Sequence, residues 1–79
     1  MITSNQCRGA RAMLGLSREE LARLARVAQR TISDFEADRR APIDATLRAM
    51  HNALEAAGVE FIEENGGGPG VRLKKAGKV

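Results

Sequence analysis

The sequence predicts an all-α fold of four to five short helices, followed by a small β-hairpin or strand appendage at its C-terminal end. Three observations predict it. Apolar residues recur at helical spacing in successive segments. Those segments are bounded by capping signals. The hydrophobic content, 43% of 79 residues, comes mostly from Ala, Leu, Ile and Val, with Phe35 and Phe61 the only aromatics. A chain of this length fits one domain, near the lower end of what folds alone.

The elements follow in order. Thr3 and Gln6 have capping-box spacing, so a first helix starts there and runs to about Leu14, with Cys7, Ala10 and Leu14 on its apolar side. Gly15 is its expected stop. Ser17 and Glu20 repeat the box and open a second helix, whose buried face is Leu21, Ala22, Leu24 and Ala25. A tight turn, Arg26-Val27-Ala28, leads into a third helix from Gln29 to about Ala37. Its inward residues are Ile32 and Phe35; Arg30, Ser33 and Asp34 point outward. A fourth helix is expected from about Ile43 to Ala57, with Leu47, Met50 and Leu54 on one face and Gly58 as its stop. The pattern then changes: Val59–Ile62 and Val71–Leu73 are β-like runs around a Gly-rich loop, the signature of a hairpin. Residues 1–58 therefore form the helical domain, 59–73 a β appendage and 74–79 a basic disordered tail.

Composition narrows the chemistry. The formal net charge is +3, and ten of the thirteen basic residues are Arg, a bias that suits a phosphate-rich partner. The lack of Trp and Tyr disfavours single-strand binding by base stacking. Cys7 is the only cysteine, so no internal disulfide forms, and Cys7 with His51 cannot complete a zinc site. Cys7 reads as a small core hydrophobe and His51 as a surface polar residue. No nucleophile, base and orienting group stand together, so no enzyme activity and no cofactor are expected. The GGGPG run lacks the Lys-Ser/Thr ending and following helix of a phosphate loop. The N-terminus has no apolar h-region and no run approaches membrane length; the expected location is cytoplasmic.

The informative stretch is Leu16 to Pro42. Two short helices on a three-residue turn cannot bury their own faces and need helices one and four behind them. The second of the pair then juts out, with the dimensions to enter a DNA major groove. This stretch resembles the Cro/C1-type, XRE-like helix-turn-helix regulators. Their pattern is L-S-Q-E-E-L-A-x-x-x-G-V-S-x-x-T-I-S-x-x-E-x-G. Leu16, Ser17, Glu19, Glu20, Leu21, Ala22, Val27, Thr31, Ile32, Ser33 and Glu36 match it, and Thr46-Leu47 resembles the T-L of the next helix. The resemblance implies a lambda-repressor-like DNA-binding domain. Four positions depart from it: Arg18 replaces Gln, Arg26 and Asp38 replace Gly, and Ala28 replaces a capping Ser. A positive φ at residue 26 would strain Arg by about 1 kcal/mol. The missing cap would cost a similar ~1 kcal/mol.

Roles follow from position in the motif. Gln29, Arg30, Ser33 and Asp34 are candidate readers of base edges, with Asp34 either accepting from cytosine or orienting an Arg. Arg18, Thr31, Arg39 and Arg40 are candidate phosphate contacts. The resemblance also implies that Glu36 pairs with Arg11, locking helix one to the recognition helix. A lone hairpin is marginal in water, so Phe61, Ile62, Val71 and Leu73 must pack on the domain itself or build a homodimer interface. The function implied is sequence-specific binding of a pseudo-palindromic double-stranded DNA operator by a homodimer, as a transcriptional repressor. Small regulators of this kind are often found on mobile elements. An antagonist protein is a possible further partner. The alternative is an antitoxin or adaptor module acting through the C-terminal hairpin.

Overall fold

The computed structural model describes residues 2–74. Among them lie four helices and one antiparallel pair of strands. The helices are α1 (Ser4–Leu14), α2 (Arg18–Ala25), α3 (Gln29–Glu36) and α4 (Asp44–Ala57). The strands are β1 (Val59–Ile62) and β2 (Gly70–Leu73). The all-α fold with a short hairpin is therefore the one observed. No described helix is long and apolar enough to cross a membrane. The tail lies outside the described residues except for Lys74, whose amide donates to the Gly58 carbonyl at 2.8 Å.

Both capping boxes form. The Thr3 hydroxyl accepts from the Gln6 amide at 3.1 Å, and Gln6 Oε1 accepts from the Thr3 amide at 2.8 Å. Ser17 and Glu20 repeat the exchange at 3.0 and 2.8 Å. Hydrogen bonds from Ser17 hold the Glu20 carboxyl below its usual range. Gln6 has a second task that its spacing alone does not reveal. Its Nε2 donates to the carbonyls of Ile62 at 3.2 Å and Gly70 at 2.8 Å, tying the hairpin to α1.

The core is built from one face of each helix. Cys7, Leu21, Ile32, Met50, Leu54 and Val59 are fully buried. The hairpin pairs Val59 with Leu73, Glu60 with Arg72, Phe61 with Val71 and Ile62 with Gly70. Phe61 and Val71 pack against the chain's own core, while Leu73 is 57% exposed. Glu60 and Arg72 form a 2.6 Å ion pair across the strands. His51 is half-buried, more than a surface position predicts, with its ring 5.1 Å from that of Phe61.

One buried carboxylate joins α1 to α3. Glu36 is 3% exposed, and it receives Arg11 Nε at 2.7 Å and Nη2 at 2.6 Å, a two-pronged contact. The Cys7 thiol donates to the same carboxylate at 3.2 Å, and Arg8 donates to the Glu36 carbonyl. Arg11 also reaches the Leu16 carbonyl at 2.9 Å, at the start of the next turn. The pairing of Arg11 with Glu36 is thus present. Burial works against ionisation of Glu36, yet the bonds from Arg11 and Cys7 prevail and hold its carboxyl below the usual range. Burial, with the hydrogen bond to Glu36, pushes the Cys7 thiol up to about 12, so it remains protonated and acts as a donor.

The turn at Arg26 carries the strain expected from the sequence, and Asp38 adds a second such position. Arg26 has φ 60° and Asp38 has φ 58°, the two non-glycine residues in the left-handed region among the described residues. They stand where the resembled pattern has its two glycines. Asp38 has local compensation, because its carboxylate accepts from the Ser4 hydroxyl at 2.7 Å. Arg26 has no such bond among those found in the described residues.

Arg26→Gly is therefore expected to stabilise the domain by about 0.5–1 kcal/mol in urea unfolding, the relieved strain outweighing the added freedom of the unfolded chain. Asp38→Gly loses the Ser4 bond and should remain within about 0.5 kcal/mol of the parent. A second prediction concerns pH. Because folding lowers the Glu36 pKa, its contribution is complete above the unfolded carboxyl range and is lost as pH falls through the folded value. Glu36→Gln should cost about 2–3 kcal/mol at pH 7. The gap between Glu36→Gln and the parent should narrow steadily below about pH 4, read from urea midpoints across pH.

Candidate nucleic-acid interface

The α3 helix has only eight residues, and its N-cap, Ala28, makes no side-chain capping bond. A helix this short is not stable alone. Its stability comes from Ile32 and Phe35 in the core and from the bonds that Glu36 accepts from Arg11 of α1. With that face fixed inward, the first turn of α3 faces solvent. Gln29 and Arg30 are exposed there, Arg30 by 89% of its side chain. Thr31, Ser33 and Asp34 are half-buried. Gln29 and Ser33 lie four residues apart, as do Arg30 and Asp34, so they form two adjacent rows along the helix.

A groove of about 370 Å³ opens beside the second row. It is walled by Arg30, Thr31 and Asp34 from α3 and by Arg40, Pro42 and Ile43 from the following loop. Thr46, on the first turn of α4, also lines it. Of the residues expected to touch DNA, the groove therefore gathers Arg30, Thr31, Asp34 and Arg40. It does not include Gln29, Ser33, Arg18 or Arg39. Arg18 is exposed at the first position of α2, and its charge helps to lower the Glu36 pKa.

The loop wall was not foreseen from the sequence. Ile43 is 73% exposed and serves as the uncapped N-cap of α4, which begins at Asp44, one residue later than expected. Its backbone stays extended at φ −66° and ψ 160°. Spacing alone would put Ile43 on the Leu47, Met50 and Leu54 face, four residues before Leu47; its extended backbone ahead of the first turn leaves it exposed instead.

The loop is held to α3 by Asp34. The Asp34 carbonyl accepts from the amides of Arg39 at 2.8 Å and Arg40 at 3.4 Å. Its carboxylate accepts from Arg39 Nε at 3.1 Å and faces Arg30 Nε at 3.8 Å. Apart from Asp34, three carboxylates gather at another site. A second groove, of about 410 Å³, is lined by His51, Glu55, Phe61, Glu63 and Glu64. Glu55 lies about 13 Å along α4 from Thr46 at 1.5 Å rise per residue. The basic groove and the acidic one are thus separated along the same helix, an arrangement that favours polyanion approach at α3.

No curated protein matches the chain. The profile described as Helix-turn-helix matches residues 8–61, from α1 through most of β1. That span is more than half of the sequence and includes the Arg11–Glu36 pair and all of α2, α3 and α4, and so the chain belongs to the Cro/C1-type, XRE-like helix-turn-helix family of DNA-binding transcriptional regulators.

Proposed function

We propose that the protein is a sequence-specific reader of double-stranded DNA that represses transcription from a pseudo-palindromic operator, as a homodimer. The observation that carries this reading is the first turn of α3. It presents Gln29 and Arg30 to solvent without a side-chain cap, on a helix whose far end is held to α1 by the Glu36–Arg11 pair. Gln29 suits adenine and Arg30 suits guanine, each by two hydrogen bonds in the major groove. Ser33, one turn on from Gln29, is the third candidate for a base edge. Arg18, Thr31, Arg39 and Arg40 contact phosphate in this reading and set the register. Repression needs only occupancy of a promoter, which a DNA-binding domain of this size provides without a further surface.

The hairpin supports the dimer in part. Val59, Phe61 and Val71 are committed to the chain's own core. Leu73 is left exposed, Ile62 is half-buried, and both strands have one unpaired edge. A second copy docking there would cover Leu73 and bring two α3 helices to half-sites about one turn of DNA apart.

Selection from random duplex DNA tests the base contacts. The parent protein is expected to enrich a two-fold symmetric motif, with affinity falling steeply as salt rises. Arg30→Ala should relax one position in each half-site, at a cost of about 1–3 kcal/mol. Failure of the parent to enrich any motif at moderate salt would remove the specific reading. Sedimentation in the absence of DNA tests the assembly. At tens of micromolar the parent should sediment as a dimer, and Leu73→Glu should weaken that dimer by about tenfold or more, equivalent to at least ~1.4 kcal/mol. A monomeric parent would exclude the hairpin as a self-association surface.

A further inference from the structure

Asp34 lines the groove between α3 and the following loop, with its side chain only 20% exposed. Its two oxygens face different arginines. Oδ1 accepts from Arg39 Nε at 3.1 Å, and Oδ2 lies 3.8 Å from Arg30 Nε, one helical turn back. The main chain of the same residue fixes the loop through Arg39 and Arg40. A carboxylate engaged in this way is poorly placed to accept from a cytosine, because reaching a base would release both arginines at once.

We infer that Asp34 is a positioning residue: it orients Arg30 for guanine and restrains non-specific attraction to phosphate. The inference rests on the reading of Arg30 as a base contact. Arg30 is otherwise free in solvent, and an unrestrained arginine loses considerable rotamer freedom when it binds. A carboxylate beside Nε leaves the four N–H groups of Nη1 and Nη2 available, and two of these suffice for guanine O6 and N7. The negative charge acts in a second way. It lies between two arginines that would each attract any phosphate, so it lowers affinity for all sequences while leaving the guanine contact possible. Discrimination rises because the oriented Arg30 recovers part of that loss at guanine and not at other bases.

Three variants separate these effects, each assayed by random-duplex selection and by titration with a duplex lacking the motif. Asp34→Asn keeps the shape and removes the charge. It is expected to bind motif-free duplex about tenfold more tightly at low salt and to lose about tenfold in preference at the base read by Arg30. Asp34→Glu keeps the charge but lengthens the side chain by one methylene. It should retain weak motif-free binding while relaxing the same base position. Arg30→Ala marks which position that is. If the parent has a motif that Arg30→Ala relaxes, yet Asp34→Asn leaves both preference and motif-free affinity unchanged, the positioning role is overturned and the base-reading proposal survives. Relaxation at a different, cytosine-containing position would overturn it as well, by making Asp34 a base reader. A parent with no motif would overturn the inference together with the reading beneath it.

Discussion

The fold of this small domain depends on a single buried carboxylate. Glu36 ends α3, and four donors converge on it: Arg11 twice, Cys7 once, and Arg8 at its carbonyl. All of them come from α1. A buried charge is costly unless its hydrogen bonds are complete, and here no buried side-chain polar atom among the described residues lacks a partner. The cost of stranding Glu36 gives the pair its structural force. Any movement of α3 away from α1 would leave an uncompensated charge in an apolar setting. The helix that faces the solvent groove is therefore fixed from its inner side, at its last residue.

That arrangement explains how the helix tolerates weak ends. Ala28 gives α3 no side-chain cap, and the turn before it contains Arg26 in a left-handed conformation. Both features weaken a helix of eight residues locally. Ile32 and Phe35 in the core, together with Glu36, supply what the entrance lacks. Asp38, also left-handed, closes the far end, where its bond from Ser4 again ties the loop to α1. The first helix thus braces α3 at its terminus and at the loop beyond it, and through Gln6 it holds the hairpin as well.

Much of this was legible in the sequence, for identifiable reasons. Capping boxes are local and depend on residues three apart, so Thr3 with Gln6 and Ser17 with Glu20 could be read directly, and both form. The glycine positions of the resembled family pointed to Arg26 and Asp38, where the backbone does adopt positive φ. Contacts between distant segments were less visible. The bond of Cys7 to Glu36 spans 29 residues, and those of Gln6 to the hairpin span 56 and 64. Nothing in local periodicity encodes them. The hairpin shows the same limit: alternation in V-E-F-I indicates a strand with two unlike faces, but not that α1 and α4 cover one of them. Asp34 was legible as outward-facing, whereas its position between Arg30 and Arg39 depends on how the loop folds back after Asp38.

Asp34 and Glu36 are two residues apart on α3, so they project in nearly opposite directions around it. Each is paired with arginine, but the consequences differ with burial. Glu36 is enclosed, its partner is held by two bonds, and the result is a rigid joint. Asp34 lies at the edge of solvent; Arg39 is bonded to it while Arg30 remains within ionic reach but unbonded. Surface pairs of this kind contribute little to stability, about 0–1 kcal/mol, so Asp34 adds far less to the fold than Glu36 does. A domain whose basic residues are mostly arginine can bind any phosphate surface through charge alone. Carboxylates set among those arginines weaken that general attraction and leave geometry to decide, which is the requirement for reading one sequence among many.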